Sequence, residues 1–291
     1  MTPVRVELLP SFVSKSVAPR QEVYSPYWRL TTGRTPPVRR NVMRIVFSGL
    51  SFNETAFRSG KGKTLNIVIL TGAGISAESG LGTFRDQDGL WSNYNLEDVA
   101  TPQAFTQNPG LVHEFYNMRR ANCRRAQPNG AHRALAELEA RHAGKVLIVT
   151  QNVDDLHQRA GSKNVLQMHG ELDKARCIYC SSTWPAPDVM TAQGRCPSCW
   201  AKGCRPDVVW FGESVRFLSE IEGEIRKADL FAMIGSSGQV SPASEFMQLA
   251  RDSGAETLEL NLEASAVAGM ARKVILGPAT QVVPKWVSTL V

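Results

Sequence analysis

The chain has 291 residues, of which 43% are hydrophobic and 21% are charged. This composition is ordinary for a globular protein with one substantial core, and the length leaves room for a small second domain. No apolar run approaches the roughly 20 residues that a membrane-spanning helix requires. We therefore expect a soluble protein without a membrane partner.

The net charge of +6 is distributed unevenly along the chain. Residues 1–63 contain 11 basic and 3 acidic side chains, whereas residues 64–291 contain 22 basic and 24 acidic ones. A nucleic-acid groove requires a basic stripe on the folded domain. The near-neutral body therefore argues against a nucleic-acid partner.

Residues 1–63 form a basic N-terminal extension, rich in Arg, Ser, Thr and Pro, as in "RLTTGRTPPVRR". We favour a disordered extension, or a start codon assigned too far upstream with Met43 as an internal start, over an organellar transit peptide. The favoured interpretation predicts a cytoplasmic protein, and the transit-peptide alternative predicts a mitochondrial one. The folded domain is predicted over residues 64–291.

Six apolar runs that resemble strands alternate with helical stretches after Thr64. They are "LNIVILT", "KVLIVTQ", "NVLQMHG", "PDVVWFG", "DLFAMIGSS" and "TLELNLE". Most of these runs are continuously apolar, which is typical of parallel strands covered on both faces. The sequence therefore predicts an α/β fold, a doubly wound, Rossmann-like parallel sheet.

Polar or glycine-rich residues follow each of the six runs. They are "GAGIS", "QNVDDLH", "HG", "FGE", "GSS" and "NLE". Doubly wound sheets bind ligands at the carboxyl ends of their strands. Six such ends predict one ligand site at one edge of the sheet.

The segment from Gly72 to Ala77 has the G-x-G-x-x-A form, in which small residues allow a pyrophosphate to approach the backbone. A dehydrogenase of this type also carries an acid about 20 residues further on, which holds the ribose. Asp86 and Asp88 come too early for that role. The segment therefore indicates a dinucleotide but argues against hydride transfer.

Four of the six cysteines form two C-x2-C pairs separated by fifteen residues, at positions Cys177, Cys180, Cys196 and Cys199. Two such pairs complete a tetrahedral four-thiolate shell that suits Zn²⁺, and such a shell leaves no open position for catalysis. The alternative, two disulfides, requires an oxidising compartment, and the sequence has no secretory signal. We expect a structural zinc in an inserted zinc module over about residues 173–205.

His169 is the candidate general base among the five histidines. It follows an apolar run and precedes a glycine, Gly170, which we expect to leave space for substrate. An imidazole with a pKa near neutrality is suited to general acid–base catalysis. We expect His132 and His157 to serve structure.

The ordered motifs "GAGISAESG…TFRD…GLW", "TQNVDDLHQRAG", "MHGEL", "VVWFGE", "GSS" and "LNLE" resemble the sirtuins, NAD-dependent protein lysine deacylases. The resemblance extends from about Leu65 to the C-terminus. It implies that NAD is cleaved as a cosubstrate, that acylated lysine side chains of proteins are the partners, and that nicotinamide, O-acyl-ADP-ribose and free lysine are the products. It also implies that His169 activates a ribose hydroxyl. We expect a monomer.

The resemblance further implies a role for the residues that match the family's motifs. The glycine turn would cradle the phosphates, the segment after it would cover the ribose, "QNVD" would line the ribose and nicotinamide pocket, and the later motifs would hold the adenosine half. The implied cofactor-binding residues are Gly72, Ala73, Gly74, Ile75, Ser76, Phe84, Arg85, Trp91, Gln151, Asn152, Val153, Asp154, Gly235, Ser236, Ser237, Asn261, Leu262, Glu263 and Ala279.

The stretch "DVATPQAF…VHEFYNMRRANC" resembles the desuccinylase-like branch of the sirtuins, in which Ala100, Tyr116 and Arg119 match the acyl-binding residues. A helix would place Tyr116 and Arg119 on one face. A guanidinium can pair with a carboxylate through two bonds, and a phenol adds a third donor. The alternative is a solvated, charged helix face.

Two other functions remain open at this point. One is ADP-ribosyl transfer to protein, in which label from NAD would end on protein instead of O-acyl-ADP-ribose. The other is a non-catalytic zinc-containing binding module. The presence of His169 and Asn152 argues against a module without catalysis.

Overall fold

The computed structural model of the protein describes residues 64–82 and 94–291. Its strands are β1 (Ile67–Thr71), β2 (Val146–Thr150), β3 (Val165–Gln167), β4 (Gly170–Cys177), β5 (Thr183–Pro185), β6 (Cys204–Val208), β7 (Leu230–Ile234), β8 (Glu256–Asn261) and β9 (Lys273–Leu276). Its α-helices are α1 (Gly74–Ala77), α2 (Leu96–Val99), α3 (Pro102–Gln107), α4 (Pro109–Arg125), α5 (Gly130–Arg141), α6 (Leu156–Ala160), α7 (Leu218–Ile225), α8 (Phe246–Asp252) and α9 (Ala279–Val287). None of these helices combines the length and hydropathy needed to cross a membrane.

The predicted N-terminal extension, residues 1–63, lies outside the described residues. The domain boundary at residue 63 therefore stays a prediction, as does the extent of the zinc module.

The main sheet has six strands in the order β3-β2-β1-β7-β8-β9, and every neighbouring pair in it is parallel. All residues of β1, β2 and β7 are buried. This arrangement confirms the predicted doubly wound sheet, because continuously apolar strands require helices on both faces.

The two faces of β1 pack against different pairs of helices. Ile67 and Ile69 belong to a core that includes residues of α5 and α9. Val68 and Leu70 belong to a second core that includes residues of α7 and α8. Successive side chains of a strand point to opposite faces, so this one strand connects both hydrophobic cores.

The strand order reverses between β1 and β7, because β2 and β3 follow on one side of β1 and β8 and β9 follow on the other side of β7. The strands end level with one another at this point, where Thr71 pairs with both Thr150 and Ile234. In doubly wound sheets the ligand crevice lies at such a reversal. The fold therefore places a crevice beside the loop that begins at Gly72.

One strand of the predicted sheet lies elsewhere. The run "PDVVWFG" contains the end of β6, which pairs antiparallel with β4 in a separate three-stranded sheet of order β5-β4-β6. The sixth strand of the main sheet is the short β9, which was not among the six predicted strands. The run is apolar for a different reason than expected: Val208 is buried against α4, in a core with Phe115 and Tyr116. Apolar content alone does not distinguish these two environments.

The loops that follow β1 and β7 contact each other through their backbones. The amide of Gly74 donates a hydrogen bond of 2.8 Å to the carbonyl of Gly235. Gly235 has a φ of +63°, and a Cβ on it would lie 2.4 Å from the backbone nitrogen of Ile75. Glycine is therefore required at this position by both conformation and space.

We expect Gly235→Ala to lower the free energy of unfolding by roughly 2–5 kcal/mol, because a left-handed alanine costs about 1–2 kcal/mol and overpacking adds about 1–3 kcal/mol. Gly254→Ala is the matched control, because Gly254 has a φ of +87° and no atom within 4 Å of an added Cβ. Urea unfolding of both variants measures the difference. Equal losses of stability would show that the backbone contact is not tight.

Candidate functional site

Loops from four neighbouring strands meet at the carboxyl edge of the sheet. The amide of Gly72 donates to the carbonyl of Ile234 (3.0 Å), which ties the first glycine turn to the end of β7. The Ser236 hydroxyl donates to Oε1 of Gln151 (2.7 Å), and Nδ2 of Asn261 donates to the carbonyl of Ser236 (2.8 Å). The structure therefore brings residues at the carboxyl ends of β1, β2, β7 and β8 into one hydrogen-bonded cluster.

A buried polar network lies beneath the glycine turn. The Ser76 hydroxyl donates to Oδ2 of Asp154 (3.0 Å), and Nδ2 of Asn152 donates to Ser76 Oγ (3.1 Å) and to the carbonyl of Gly72 (3.2 Å). Burial raises the pKa of Asp154, while hydrogen bonds from the Leu156 amide and from Ser76 act in the opposite direction. The "QNVD" loop is thereby fixed to the glycine turn.

Two histidines complete this network. His132 Nε2 lies 3.4 Å from Ser76 Oγ, and His157 Nε2 lies 3.0 Å from Thr71 Oγ1. Their rings are in edge contact, with centroids 5.0 Å apart. Burial lowers the pKa of His132 to about 4 and that of His157 to about 3, so both rings are neutral at pH 7. The structural role of the two histidines was predicted from the sequence, but their direct support of the glycine turn was not.

His169 lies between β3 and β4, with Nδ1 2.8 Å from the carbonyl of Gln151. A carbonyl only accepts, so Nδ1 carries the proton and Nε2 has the lone pair. Burial lowers the pKa of His169 to about 4, and the Gln151 carbonyl acts in the opposite direction. At pH 7 the imidazole is therefore neutral and can accept a proton at Nε2.

The glycine after His169 does not leave the expected space for substrate. Gly170 has a φ of +84°, and a Cβ on it would lie 2.2 Å from the carbonyl of Asp207 in β6. The missing side chain makes room for the backbone of β6, which sets the register of the small sheet at Gly170–Val208. The prediction for Gly170 was therefore wrong.

The four predicted metal ligands converge at the far end of β4. Their Sγ atoms all lie within 4.8 Å of one another, and the pairs Cys177–Cys199 and Cys180–Cys196 are 3.6 Å apart. A disulfide requires about 2.05 Å. A tetrahedral shell with Zn–S distances of about 2.3 Å gives sulfur separations of about 3.8 Å. The geometry fits a closed four-thiolate zinc site and excludes the disulfide alternative in this conformation.

Two of the predicted acyl-binding residues, Ala100 and Tyr116, lie in a third core, and Arg119 is half-buried beside it. Ala100, Tyr116 and Trp210 are buried together there. The guanidinium carbon of Arg119 lies 5.6 Å from the centre of the Tyr116 ring. Only 3% of the Tyr116 surface is exposed, so this residue does not belong to a solvated helix face.

The remaining predicted residues are dispersed around the edge or lie outside the described residues. Leu262 is 68% exposed after β8, and Glu263 is exposed beside it. Ala279 begins α9, next to Thr280, whose amide donates to Oε2 of Glu78 (2.9 Å). The predicted residues without a described position are Phe84, Arg85 and Trp91.

Residues 72–242 match the Sir2 family. The chain is also 52% identical over 230 residues to an NAD-dependent protein deacylase of Caulobacter vibrioides, covering 78% of this chain and 97% of the relative. The chain belongs to the Sir2 family. The family resemblance inferred from the motifs is thereby confirmed.

Two solved structures of Sir2 proteins share this fold. A complex of a Sir2 homolog with NAD has a TM-score of 0.72 and 39% identity, covering 77% of this chain and 88% of that chain. A Sir2 protein bound to an acetylated peptide has a TM-score of 0.67 and 29% identity, covering 78% of this chain and 93% of that chain. NAD and an acetylated peptide are thus ligands of structurally similar Sir2 proteins.

We expect the purified protein to contain about one zinc per chain and Cys177→Ser to lose it, because removal of one thiolate opens the shell and metal-binding free energy in such modules is folding free energy. The unfolding midpoint should fall as well. Cys123→Ser is the control, because Cys123 lies outside the four-sulfur cluster. Elemental analysis of all three proteins decides, and a Cys177→Ser protein with a full complement of zinc would contradict the assignment.

Proposed function

We propose that this chain removes succinyl and malonyl groups, as well as acetyl groups, from protein lysines, and that it releases nicotinamide, O-acyl-ADP-ribose and the free lysine. The general class, NAD-dependent protein deacylase, follows from membership of the Sir2 family and from the deacylase relative of Caulobacter vibrioides. The acyl preference is the part that we infer from the residues around Tyr116. The observation that carries it is the position of the Arg119 guanidinium beside the buried Tyr116 ring.

NAD fits the crevice between β1 and β7 by the chemistry of its walls. Gly72 and Gly74 let the start of α1 pack against the loop after β7, because a Cβ on either would lie 2.7–2.8 Å from the backbone of Gly235 or Ser236. We infer that a pyrophosphate would meet the backbone of this turn. Ser236 and Asn261 supply a hydroxyl and an amide from the next two strands. When bound, NAD supplies the ribose carbon that receives the acyl oxygen and the ribose hydroxyl that receives the acyl group. The chain's own residues hold the cofactor and move the proton.

His169 is the group that we assign as general base. Its Nε2 would accept the proton of a ribose hydroxyl, while Nδ1–H remains bonded to the Gln151 carbonyl. That bond orients the ring and stabilises the positive charge that the ring gains. Because Gln151 also accepts from Ser236, the loop that orients the base belongs to the same cluster as the cofactor residues.

The acyl group would extend toward α4. The small side chain of Ala100 would leave room for the four-carbon succinyl chain. Arg119 and Tyr116 would donate hydrogen bonds to the terminal carboxylate of that chain. A charge-assisted contact of this kind is about twice as strong as a neutral hydrogen bond. An acetyl group presents no carboxylate, so it would bind in the same pocket without this contact.

We expect His169→Ala to lower deacylation at least ~100-fold, the usual scale for losing a general base, while NAD and zinc binding remain. The control is His142→Ala, because His142 caps α5 and bonds the Leu65 carbonyl, away from the edge. Release of O-acyl-ADP-ribose from radiolabelled NAD measures turnover. Label that ends on protein instead would indicate ADP-ribosyl transfer, and near-normal turnover of His169→Ala would reject the assigned base.

We expect Arg119→Met to lower kcat/KM for a succinyl-lysine peptide roughly 10- to 1,000-fold, since a shielded charged contact is worth a few kcal/mol and about 1.4 kcal/mol corresponds to tenfold. Deacetylation should change little. Arg125→Met is the matched control, because Arg125 is exposed in the last turn of the same helix. A parallel fall of both activities would mean that Arg119 supports the fold or the NAD site instead.

A further inference from the structure

The hydroxyl of Tyr116 has a neighbour that fixes its direction. Nε1 of Trp210 donates a hydrogen bond of 3.0 Å to the Tyr116 hydroxyl oxygen, and the two side chains are 2% and 3% exposed. An indole nitrogen is only a donor. The phenol oxygen is therefore the acceptor in this bond, and the phenol proton must point away from Trp210.

The phenol proton needs an acceptor of its own. Within residues 64–82 and 94–291, Trp210 is the one hydrogen-bond partner that the structure gives the Tyr116 hydroxyl. A buried hydroxyl proton without an acceptor costs free energy, so a ligand that accepts from it is favoured. Burial also raises the pKa of Tyr116, which keeps the hydroxyl protonated at pH 7.

The charge beside Tyr116 determines which ligand fits. The Arg119 guanidinium lies 5.6 Å from the centre of the Tyr116 ring and 5.7 Å from that of Phe115. A carboxylate placed between the phenol and the guanidinium can accept from both, whereas a methyl group can accept from neither. The phenol proton therefore favours an anionic acyl end.

The Trp210 indole is itself held in place. The guanidinium carbon of Arg205 lies 3.3 Å from the centre of the indole, and Arg205 forms a two-bond ion pair with Glu213 (2.6 and 2.8 Å). Glu213 also accepts from the backbone amide of Trp210 (2.8 Å). The Phe105 ring lies 5.3 Å from the indole ring. Rotation of the indole would break this cluster, so the direction of its N–H is fixed before substrate binds.

We propose that Trp210 is a positioning residue that selects acidic acyl groups, because its indole N–H holds the Tyr116 hydroxyl as a donor toward the acyl carboxylate. The inference rests on the proposed function, since it concerns how the same acyl pocket distinguishes its substrates. Trp210 acts through Tyr116 and requires no contact of its own with the substrate.

A packing role for Trp210 predicts a different result from this positioning role. Trp210→Phe keeps an apolar ring but removes the N–H. If Trp210 only fills space, its replacement affects succinyl and acetyl substrates alike, with or without the Tyr116 hydroxyl. If it orients that hydroxyl, its replacement affects the succinyl substrate alone and has no effect once the hydroxyl is absent.

The experiment measures kcat and KM for one peptide in succinyl and acetyl forms, with the wild type, Trp210→Phe, Tyr116→Phe and the double variant. We expect the succinyl-to-acetyl ratio of kcat/KM to fall about 3- to 30-fold in Trp210→Phe, through a higher KM for the succinyl peptide. The double variant should match Tyr116→Phe. Trp286→Phe is the matched control, because the buried indole N–H of Trp286 has no partner among the described residues, and its ratio should equal that of the wild type.

The proposal would be overturned if the double variant has a lower succinyl-to-acetyl ratio of kcat/KM than Tyr116→Phe alone. An unchanged ratio in Trp210→Phe would overturn it as well. Arg119→Met separates this failure from that of the proposed function. A ratio that falls in Arg119→Met but not in Trp210→Phe rejects the positioning role alone. A wild type without desuccinylation, or an Arg119→Met variant with an unchanged ratio, rejects both.

A second measurement needs no variant of Trp210. The indole N–H resonance of Trp210, assigned by side-chain correlation in the wild type, should shift downfield when a succinyl-lysine peptide binds, because a phenol that donates more strongly also accepts more strongly. The acetyl-lysine peptide should not produce this shift. The same small response to both peptides would overturn the proposal even if Trp210→Phe does not fold.

Discussion

The close approach of two backbones between Gly74 and Gly235 is the constraint on which the rest of the site depends. Their hydrogen bond places the turn after β1 against the turn after β7. From there a line of contacts continues: Ser236 bonds the side chain of Gln151, and the carbonyl of Gln151 bonds His169. The position of the assigned base is thus connected to the cofactor turn through three consecutive contacts, each fixed by a strand end of the same sheet.

The polar residues beneath that turn show how the fold tolerates buried polarity. Ser76, Asp154 and Asn152 satisfy one another, and two neutral histidines occupy the space below them. Burial of an unpaired polar group is costly, so such a network holds only when its members keep their partners. The network therefore holds the turn in place without an exposed ion pair among these residues.

Features that depend on residues close together in the sequence could be predicted, whereas contacts between residues far apart in the sequence could not. The cysteine cluster could be predicted because two residues of separation already place two thiolates on one ion, and the parallel strands could be predicted because burial on both faces leaves a continuous apolar run. Strand β6 was assigned to the wrong sheet, since its pairing with β4 depends on the return direction of the chain. The bond between Trp210 and Tyr116 joins residues 94 positions apart. No local pattern encodes such a contact, which arises only when α4 and β6 are packed together.

The small sheet is attached to the main domain by strands that run in opposite directions. Strand β4 leaves directly after His169 and reaches the first thiolate at Cys177, and β6 returns to end two residues before Trp210. The assigned base His169 and the indole of Trp210 lie at the base of this pair, where Gly170 and Val208 face each other. The distal part of the insert is also tied back to α4, because Nδ2 of Asn117 donates to the carbonyl of Met190 (2.8 Å) and Nη2 of Arg124 donates to that of Ala186 (3.2 Å). A substitution in the zinc module can therefore disturb α4, and with it Tyr116 and Arg119, without any contact of its own with those two residues.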